Sequence, residues 1–434
     1  MDKDPLQNIH DDYLVSVGVM VDLELSENAG GHVKCWQRFA EAAACLGAAG
    51  GVDLTVYFLG EAAATIALGE HVRYRLVPPR RSTRNLGLNG LPAHTDLAQR
   101  NPAAEASLGA HDVFHITGPF ALSLAALEAA RRKGVPVAAS VHTDNPQLTR
   151  YYMPQIVSRL LGDTPGLAAL IHRFGLPKLA ARIMARRVAH GLRRANHLFY
   201  VNCSQHDYFN DQFPAVAHSH LRHGIDRERF HPARRDRASL ALRFGLPPET
   251  PILAFAGRID GSKNADLVVA ISEHLWSWGI DHRLLMLGDG ALRQGLQQRL
   301  GARGVLPGAI PQHDLGWIFA SADTFVFPSE TETAGKVALE AMACGLPLVL
   351  MAGTAPSEVL GKVGGGGVLV RGRDPAVWAR ALATILTDRA VLSHARDAAR
   401  RAGALLPSWQ EVLEQDLLPV WRELAGRDRA ARAS

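Results

Sequence analysis

The chain has 434 residues, too many for one ordinary domain and suited to two of about 200 each. With 47% apolar and 21% charged residues, no low-complexity tract and no repeat of solenoid period, the composition excludes disordered, fibrous and repeat architectures. The net charge of +5 is mild but uneven, because between Asn145 and Gln205 the only acid facing a run of arginines and Lys178 is Asp163. Such a skew favours an anionic partner (membrane surface, nucleic acid or phosphorylated substrate), or else marks a solvated helix face.

The first residues, MDKDPLQNIHDDYLV, are acidic and polar and do not read as a signal peptide. Apolar runs then alternate with amphipathic stretches, the pattern of a doubly wound α/β architecture. Tyr13–Met20 is expected as a strand, followed by a loop ending in Gly30 and Gly31 and a helix from about His32 to Leu46. Asp22 and Glu24 of VDLEL are expected in that loop. Further strands are expected in VDLTVYFLG, DVFHITG, VPVAASVHT and HLFYVNC. A second set begins with PILAFAG (Pro251–Gly257) and continues through HRLLMLGDG, TFVFPS, LPLVLMAG and GGVLV.

Each half thus has its own parallel sheet. The polar segment RHGIDRERFHPARRDR marks the break. The expected organisation is an N-terminal domain over 1–225, a linker over 226–240, a C-terminal domain over 241–405, and a terminal helix over 406–434 crossing back to the first domain. Two such domains facing a cleft turn the carboxyl ends of both sheets toward one ligand. No 18 apolar residues run unbroken, so no segment is expected to span a bilayer. Cys35, Cys45, Cys203 and Cys344 lack metal-ligand spacing and read as reduced thiols of a cytosolic protein.

The residues with chemical potential cluster after predicted strands. In FAGRIDGSKNADLVV a strand ends at Gly257, Arg258 follows at once, and Lys263 stands at the mouth of the next helix. Arginine offers a planar fork for two phosphate oxygens and lysine a mobile point charge, which is what a diphosphate needs when no metal neutralises it. The plain alternative is a surface turn with two ordinary cations. In SETETAGKVALEAMACGLPLVL, Glu332 precedes Gly335 and Lys336, where a helix is expected to begin with its N–H groups aimed at an anion, and Glu340 lies within that helix. A wholly helical stretch would separate the two glutamates by about 12 Å of rise and about 80° of rotation, so they cannot pinch one ion. They can instead grip two ends of an elongated ligand through vicinal hydroxyls, a sugar ring at each end and phosphates between. Read structurally, both are exposed helix carboxylates. In the first half, Gly30 and Gly31 can present backbone N–H groups to a phosphate, and His142 ends a buried strand where it can hold a sugar hydroxyl or help move a proton.

Gly-Arg…Lys, Gly-Asp-Gly and Phe-Pro-Ser…Glu-x7-Glu-Ala-Met-Ala-x-Gly-x-Pro, in this order, resemble the retaining GT-B glycosyltransferases of family 4 (glycosyl transferases group 1). The likeness runs along most of the chain, from GGHVK through RHGIDRERFHP to SWQEVLEQDLLPVW. It implies two Rossmann-like domains and transfer of a hexosyl group from a nucleotide-diphosphate sugar. By position it gives Arg258 and Lys263 the diphosphate and Glu332 the donor sugar hydroxyls, helped by N–H groups near Gly335. Glu340 takes the ribose, Gly30 and Gly31 the phosphate, and His142 the donor sugar; Gly257 and Lys336 complete the donor site. No metal or other cofactor is implied, because fixed cations and helix N-termini can stabilise the departing diphosphate. In the family picture the leaving phosphate itself takes the acceptor proton. Ala334 departs from the pattern, since the family carries an aromatic or large apolar residue there.

SVHTDNPQLTRYYMP and the basic stretch after it resemble the lipid-directed branch of the family. Residues 146–195 mix Leu, Ile and Met with Arg at near-helical spacing, as a face lying on an anionic membrane does, or a helix with one buried side. Pro177 is expected to divide Leu167–Ala195 into two helices, and Pro78–Gly90 is expected as a mobile loop over the acceptor mouth. The sequence reading is thus a cytoplasmic enzyme, peripheral on the inner membrane face, with a lipid acceptor such as diacylglycerol or a phospholipid headgroup. The alternatives are the same chemistry on a soluble or polysaccharide-repeat acceptor, and a nucleotide-sugar-binding protein without transfer activity. No nucleic-acid partner is expected, for want of interleaved aromatics or a recognisable module.

Overall fold

The computed structural model describes residues 14–26, 29–84, 94–161, 175–330 and 332–433. The chain divides into unit 1, Met1–Arg222 with Trp409–Ser434, and unit 2, His223–Ser408.

Unit 1 holds β1 (Val15–Glu24), β2 (Val52–Leu59), β3 (Ala64–Ala67), β4 (Val72–Val77), β5 (Val113–Ile116), β6 (Val137–Ser140), β7 (His197–Tyr200) and β8 (Ala217–His220). They form one sheet in the order β3-β4-β2-β1-β5-β6-β7-β8. Only β3 is antiparallel, to β4. Alternation along β1 sends Val17, Val19 and Val21 to a layer with Trp36 and Phe39 of the helix Gly31–Leu46. Met20 joins the opposite layer with Phe114, Leu122 and Leu198. Helices therefore cover both faces, as a parallel sheet requires.

Trp409–Val412, a π-turn over Leu413–Leu417 and the helix Leu418–Ala433 return the chain to unit 1. Burial of Val412 and Leu417 there contributes about 1.5–3 kcal/mol each. Asp416 clamps the crossing, accepting from the Arg222 backbone N–H at 2.9 Å and from its guanidinium at 2.7 Å.

Asp22 and Glu24 correct the sequence reading. Both lie in β1 rather than in a loop. Buried Asp22 accepts from the backbone N–H groups of Phe120, Leu122 and Ser123, capping the helix Ala121–Lys133, whose own N-cap residue, Phe120, has no side-chain acceptor to offer. Glu24 pairs with Arg84 at 3.0 Å.

Unit 2 holds β9 (Ile252–Ala256), β10 (Arg283–Leu287), β11 (Gly304–Gly308), β12 (Thr324–Phe327), β13 (Leu348–Met351) and β14 (Gly367–Val370), in the order β11-β10-β9-β12-β13-β14, all parallel. The order reverses between β9 and β12, which makes the carboxyl ends of these two strands the topological switch point. Residues 226–240, expected as a linker, are part of this unit, with Phe230 and Leu240 buried in its core.

The helices Asn145–Leu161 and Leu176–Leu192 carry part of the basic stretch, with Pro177 in the first turn of the second, where a missing N–H costs nothing. Residues 162–174 and 85–90, which belong to the expected membrane face and acceptor loop, lie outside the described residues. The stem of that loop is pinned, since Asp96 accepts from the N–H groups of Arg80 and Arg81, each at 2.9 Å. No helix among the described residues is long and apolar enough to cross a membrane.

Candidate functional site

In unit 2 the candidate residues gather at the switch point. After Gly257, Arg258 donates through Nη2 to Ser262 Oγ at 2.8 Å and lies 3.4 Å from Asp260 Oδ2. A single 3-10 turn, Gly261–Lys263, carries Lys263 forward, and its Nζ donates to Glu332 Oε1. Glu332 also accepts from Ser329 Oγ at 3.0 Å. Both members of the Lys263–Glu332 pair are largely covered, 17% and 15% exposed, so the pair is shielded more than a surface ion pair is.

Asn264 carries no role expected from the sequence. Among the described residues it is the one non-glycine with positive φ, at 52°. Its side chain is buried and donates from Nδ2 to Pro328 O at 2.8 Å, joining the loop after β9 to the loop after β12. Strained backbone of this kind persists where surrounding structure over-determines it, and here it sets Lys263 opposite Glu332. Asparagine is one of the few residues that tolerate this conformation, and that is the only signal the sequence gives.

Glu332 lies in the loop, and the helix begins only at Lys336. Helical rise therefore does not measure its separation from Glu340, which sits in the second turn of Lys336–Ala343. Gly335 has φ +63°, and a Cβ there would come within 2.5 Å of the Pro356 ring, so this turn admits only glycine. His223 carries no predicted role. Its side chain is half-buried with Nε2 turned inward, and burial, then the charge of Lys336, holds its pKa well below 6.5.

In unit 1 the loops after β1, β5 and β6 meet. Gly30 is the N-cap of Gly31–Leu46, in extended conformation, and a Cβ on it would meet nothing within 4 Å. Packing among the described residues therefore does not call for glycine there. His32, another residue without a predicted role, meets Thr117 Oγ1 through Nε2 at 2.9 Å and stacks on His142, ring centroids 4.8 Å apart. His142 Nε2 lies 2.8 Å from Ser140 Oγ. The structure thus brings the glycine loop and His142 together through His32.

Arg187 of the basic stretch turns partly inward, its guanidinium 5.5 Å from the Phe120 ring. Its Nε and Nη2 are buried without a hydrogen-bond partner among the described residues. Burial lowers its pKa, opposed by the charges of Asp22 and Asp96.

The family described as Glycosyl transferases group 1 matches residues 238–402, most of unit 2. Sulfoquinovosyl transferase SQD2 of Arabidopsis thaliana is 29% identical over 242 residues, 55% of this chain and 42% of that one. D-inositol 3-phosphate glycosyltransferase 1 of Catenulispora acidiphila is 29% identical over 341 residues, 74% of this chain and 75% of that one. For several other curated relatives, as for SQD2, the chain spans only about half of their length. Among solved structures, sucrose-phosphate synthase from Thermosynechococcus elongatus superposes with a TM-score of 0.71 at 18% identity, covering 95% of this chain and all of that one. The likeness supports the fold of two Rossmann-like parallel-sheet domains. Together the sequence matches support an enzyme of the glycosyltransferase class.

Proposed function

We propose that the chain is a retaining glycosyltransferase that moves a hexosyl group from a nucleotide-diphosphate sugar to an anionic acceptor at a lipid surface. The observation that carries the donor side is the convergence of Arg258, Lys263 and Glu332 on the loops after β9 and β12. Two cations on the one loop after β9, with a helix N-terminus at Lys336 after β12, suit a diphosphate. Lys263 is held by Glu332 in this state. A bound diphosphate would draw Lys263 away and release the carboxylate for sugar hydroxyls. Arg258 and Lys263 then stabilise charge on the leaving nucleotide, so no step needs a metal ion. Glu340 holds the ribose, Gly30 and Gly31 give N–H groups to the phosphates, and His142 contacts the donor sugar.

Two features support the acceptor class. Arg187 keeps two inward-facing donors that a phosphate or carboxylate would satisfy. Leu176, Leu179 and Ile183 are 38%, 52% and 57% exposed on one face of their helix, beside exposed Lys178, Arg182 and Arg186. An apolar stripe edged by cations suits the surface of an anionic bilayer. The second reading, a soluble phosphorylated acceptor, is favoured by the relatives named for D-inositol 3-phosphate. Incubation with a panel of nucleotide sugars and either anionic vesicles or free sugar phosphates tests both. Glycolipid extracted into organic solvent supports the first, water-soluble product the second, and no turnover with any donor removes both.

A further inference from the structure

Behind His142 lies a buried chain of hydrogen bonds that crosses unit 1. Trp421 Nε1 meets His115 Nδ1 at 3.2 Å, His115 Nε2 meets Ser140 Oγ at 2.8 Å, and Ser140 Oγ meets His142 Nε2 at 2.8 Å. Trp421, His115 and Ser140 are 0%, 0% and 2% exposed. Proton counting gives this chain one direction. An indole N–H can only donate, so His115 Nδ1 accepts. His115 is neutral, because burial lowers its pKa to about 3, so its single ring proton sits on Nε2 and is donated to Ser140 Oγ. Among the described residues the two histidine nitrogens are the partners of Ser140 Oγ, so its own proton goes to His142 Nε2. The reverse direction would set the indole N–H against a second ring N–H in a dry core, at the cost of an unsatisfied buried donor.

Rotation of His115 is blocked as well. Phe199 stacks on it at 5.4 Å, and Trp36 and Trp421 present edges at 4.9 and 5.8 Å. His32 obeys the same rule independently. Thr117 Oγ1 donates to Met20 O at 2.7 Å, which obliges His32 Nε2 to carry a proton and donate to Thr117 Oγ1. The stacked rings of His32 and His142 therefore hold their protons on different nitrogens, Nε2 in His32 and Nδ1 in His142.

We propose that Trp421, His115 and Ser140 are positioning residues that hold His142 as the Nδ1–H tautomer, so that Nδ1 is the ring's hydrogen-bond donor toward a ligand oxygen and Nε2 is withheld from acting as a base. The proposal builds on the role given to His142 above. It also assigns a task to the returning C-terminal segment, which supplies the first donor of the chain.

The test is long-range proton–nitrogen NMR of the full-length protein with labelled histidine. The His142 signals are identified by their loss in His142→Gln, and thermal melts check that each variant folds. The wild-type ring is expected in the Nδ1–H form. Ser140→Ala removes the donor to Nε2, and Trp421→Phe keeps a packed ring but removes the first N–H; in both, the Nε2–H form of His142 is expected to appear. Turnover is expected to fall about tenfold to a hundredfold in Ser140→Ala, as for loss of a group that orients a functional histidine. Donor KM is expected to move less than about twofold, because tautomer choice acts on the reacting state more than on donor affinity. A wild-type ring in the Nε2–H form, or two folded variants with unaltered His142 tautomer, overturns the proposal. If the tautomer changes while turnover does not, the chain stands and the part assigned to His142 in the reaction falls.

Discussion

Asn264 Nδ2 donates to the carbonyl oxygen of Pro328, and this one buried bond joins the two loops that carry Lys263 and Glu332. Asn264→Ala would lose that bond and leave at φ 52° a residue without the short polar side chain that makes this conformation tolerable, at a combined cost to unit 2 of about 2–4 kcal/mol. Asn264→Gly keeps the backbone conformation and loses only the bond. The expected order of stability in urea unfolding is wild type, then glycine, then alanine. Donor affinity should fall in both variants, since Lys263 is no longer held opposite Glu332.

Arg258→Ala should slow transfer far more than it changes folding. Loss of a charge-assisted contact to the leaving group is worth about 1.5–3 kcal/mol, or roughly tenfold to a hundredfold in turnover. Arg258→Lys should rescue little, because a point charge does not replace the fork held by Ser262 and Asp260. Glu340→Ala should instead weaken donor binding, seen as a raised KM at near-normal turnover. Steady-state kinetics separate the two patterns.

Much of the inner architecture was legible, for a physical reason. Strands covered on both faces must be apolar throughout, so Ile252–Ala256, Leu348–Met351 and Val52–Leu59 announce themselves. The strands that escaped notice lie at or beside the sheet margins. Ala64–Ala67 is exposed along its length, Ala217–His220 reads AHSH, Gly304–Gly308 contains a proline that only an edge strand accepts, and Val72–Val77 alternates with arginine. Asp22 looked like a loop acid because its partners, the N–H groups of Leu122 and Ser123, lie about a hundred residues away. The candidate site followed the same rule. Arg258, Lys263 and Glu332 were visible as residue types in short motifs, whereas Asn264, His32 and the His115–Ser140 chain owe their meaning to partners distant in sequence.

Stability should fall steeply on acidification. His115 has a pKa lowered to about 3, and His111, His197 and His282 to about 4, in each case chiefly by burial. Between these values and the ordinary 6.5 the unfolded chain takes up protons that the folded chain refuses, so stability is retained above pH 6.5 and lost as pH falls toward 4. Each such histidine steepens the slope by up to about 1.4 kcal/mol per pH unit. Asp22, whose pKa is raised by burial, acts in the opposite sense, gaining stability as pH falls toward 3.8. Chemical denaturation from pH 7 to pH 4 should show the loss, and His282→Asn should reduce it for unit 2.

Leu179→Glu and Ile183→Glu should abolish sedimentation with anionic vesicles. Both side chains are exposed, so unfolding free energy should stay within about 0.5 kcal/mol of wild type. Turnover on a soluble acceptor, where one exists, should be unaffected.

At the centre stands the proposed exchange of partners, in which a bound pyrophosphate would take over Arg258 and Lys263 and free Glu332 for the sugar. Diffraction from crystals grown with an intact sugar nucleotide reads this directly. Lys263 Nζ is expected within hydrogen-bond reach of a phosphate oxygen and parted from Glu332, with the carboxylate on the hexose. A ligand seated elsewhere, with the lysine still bound to the glutamate, would contradict the account.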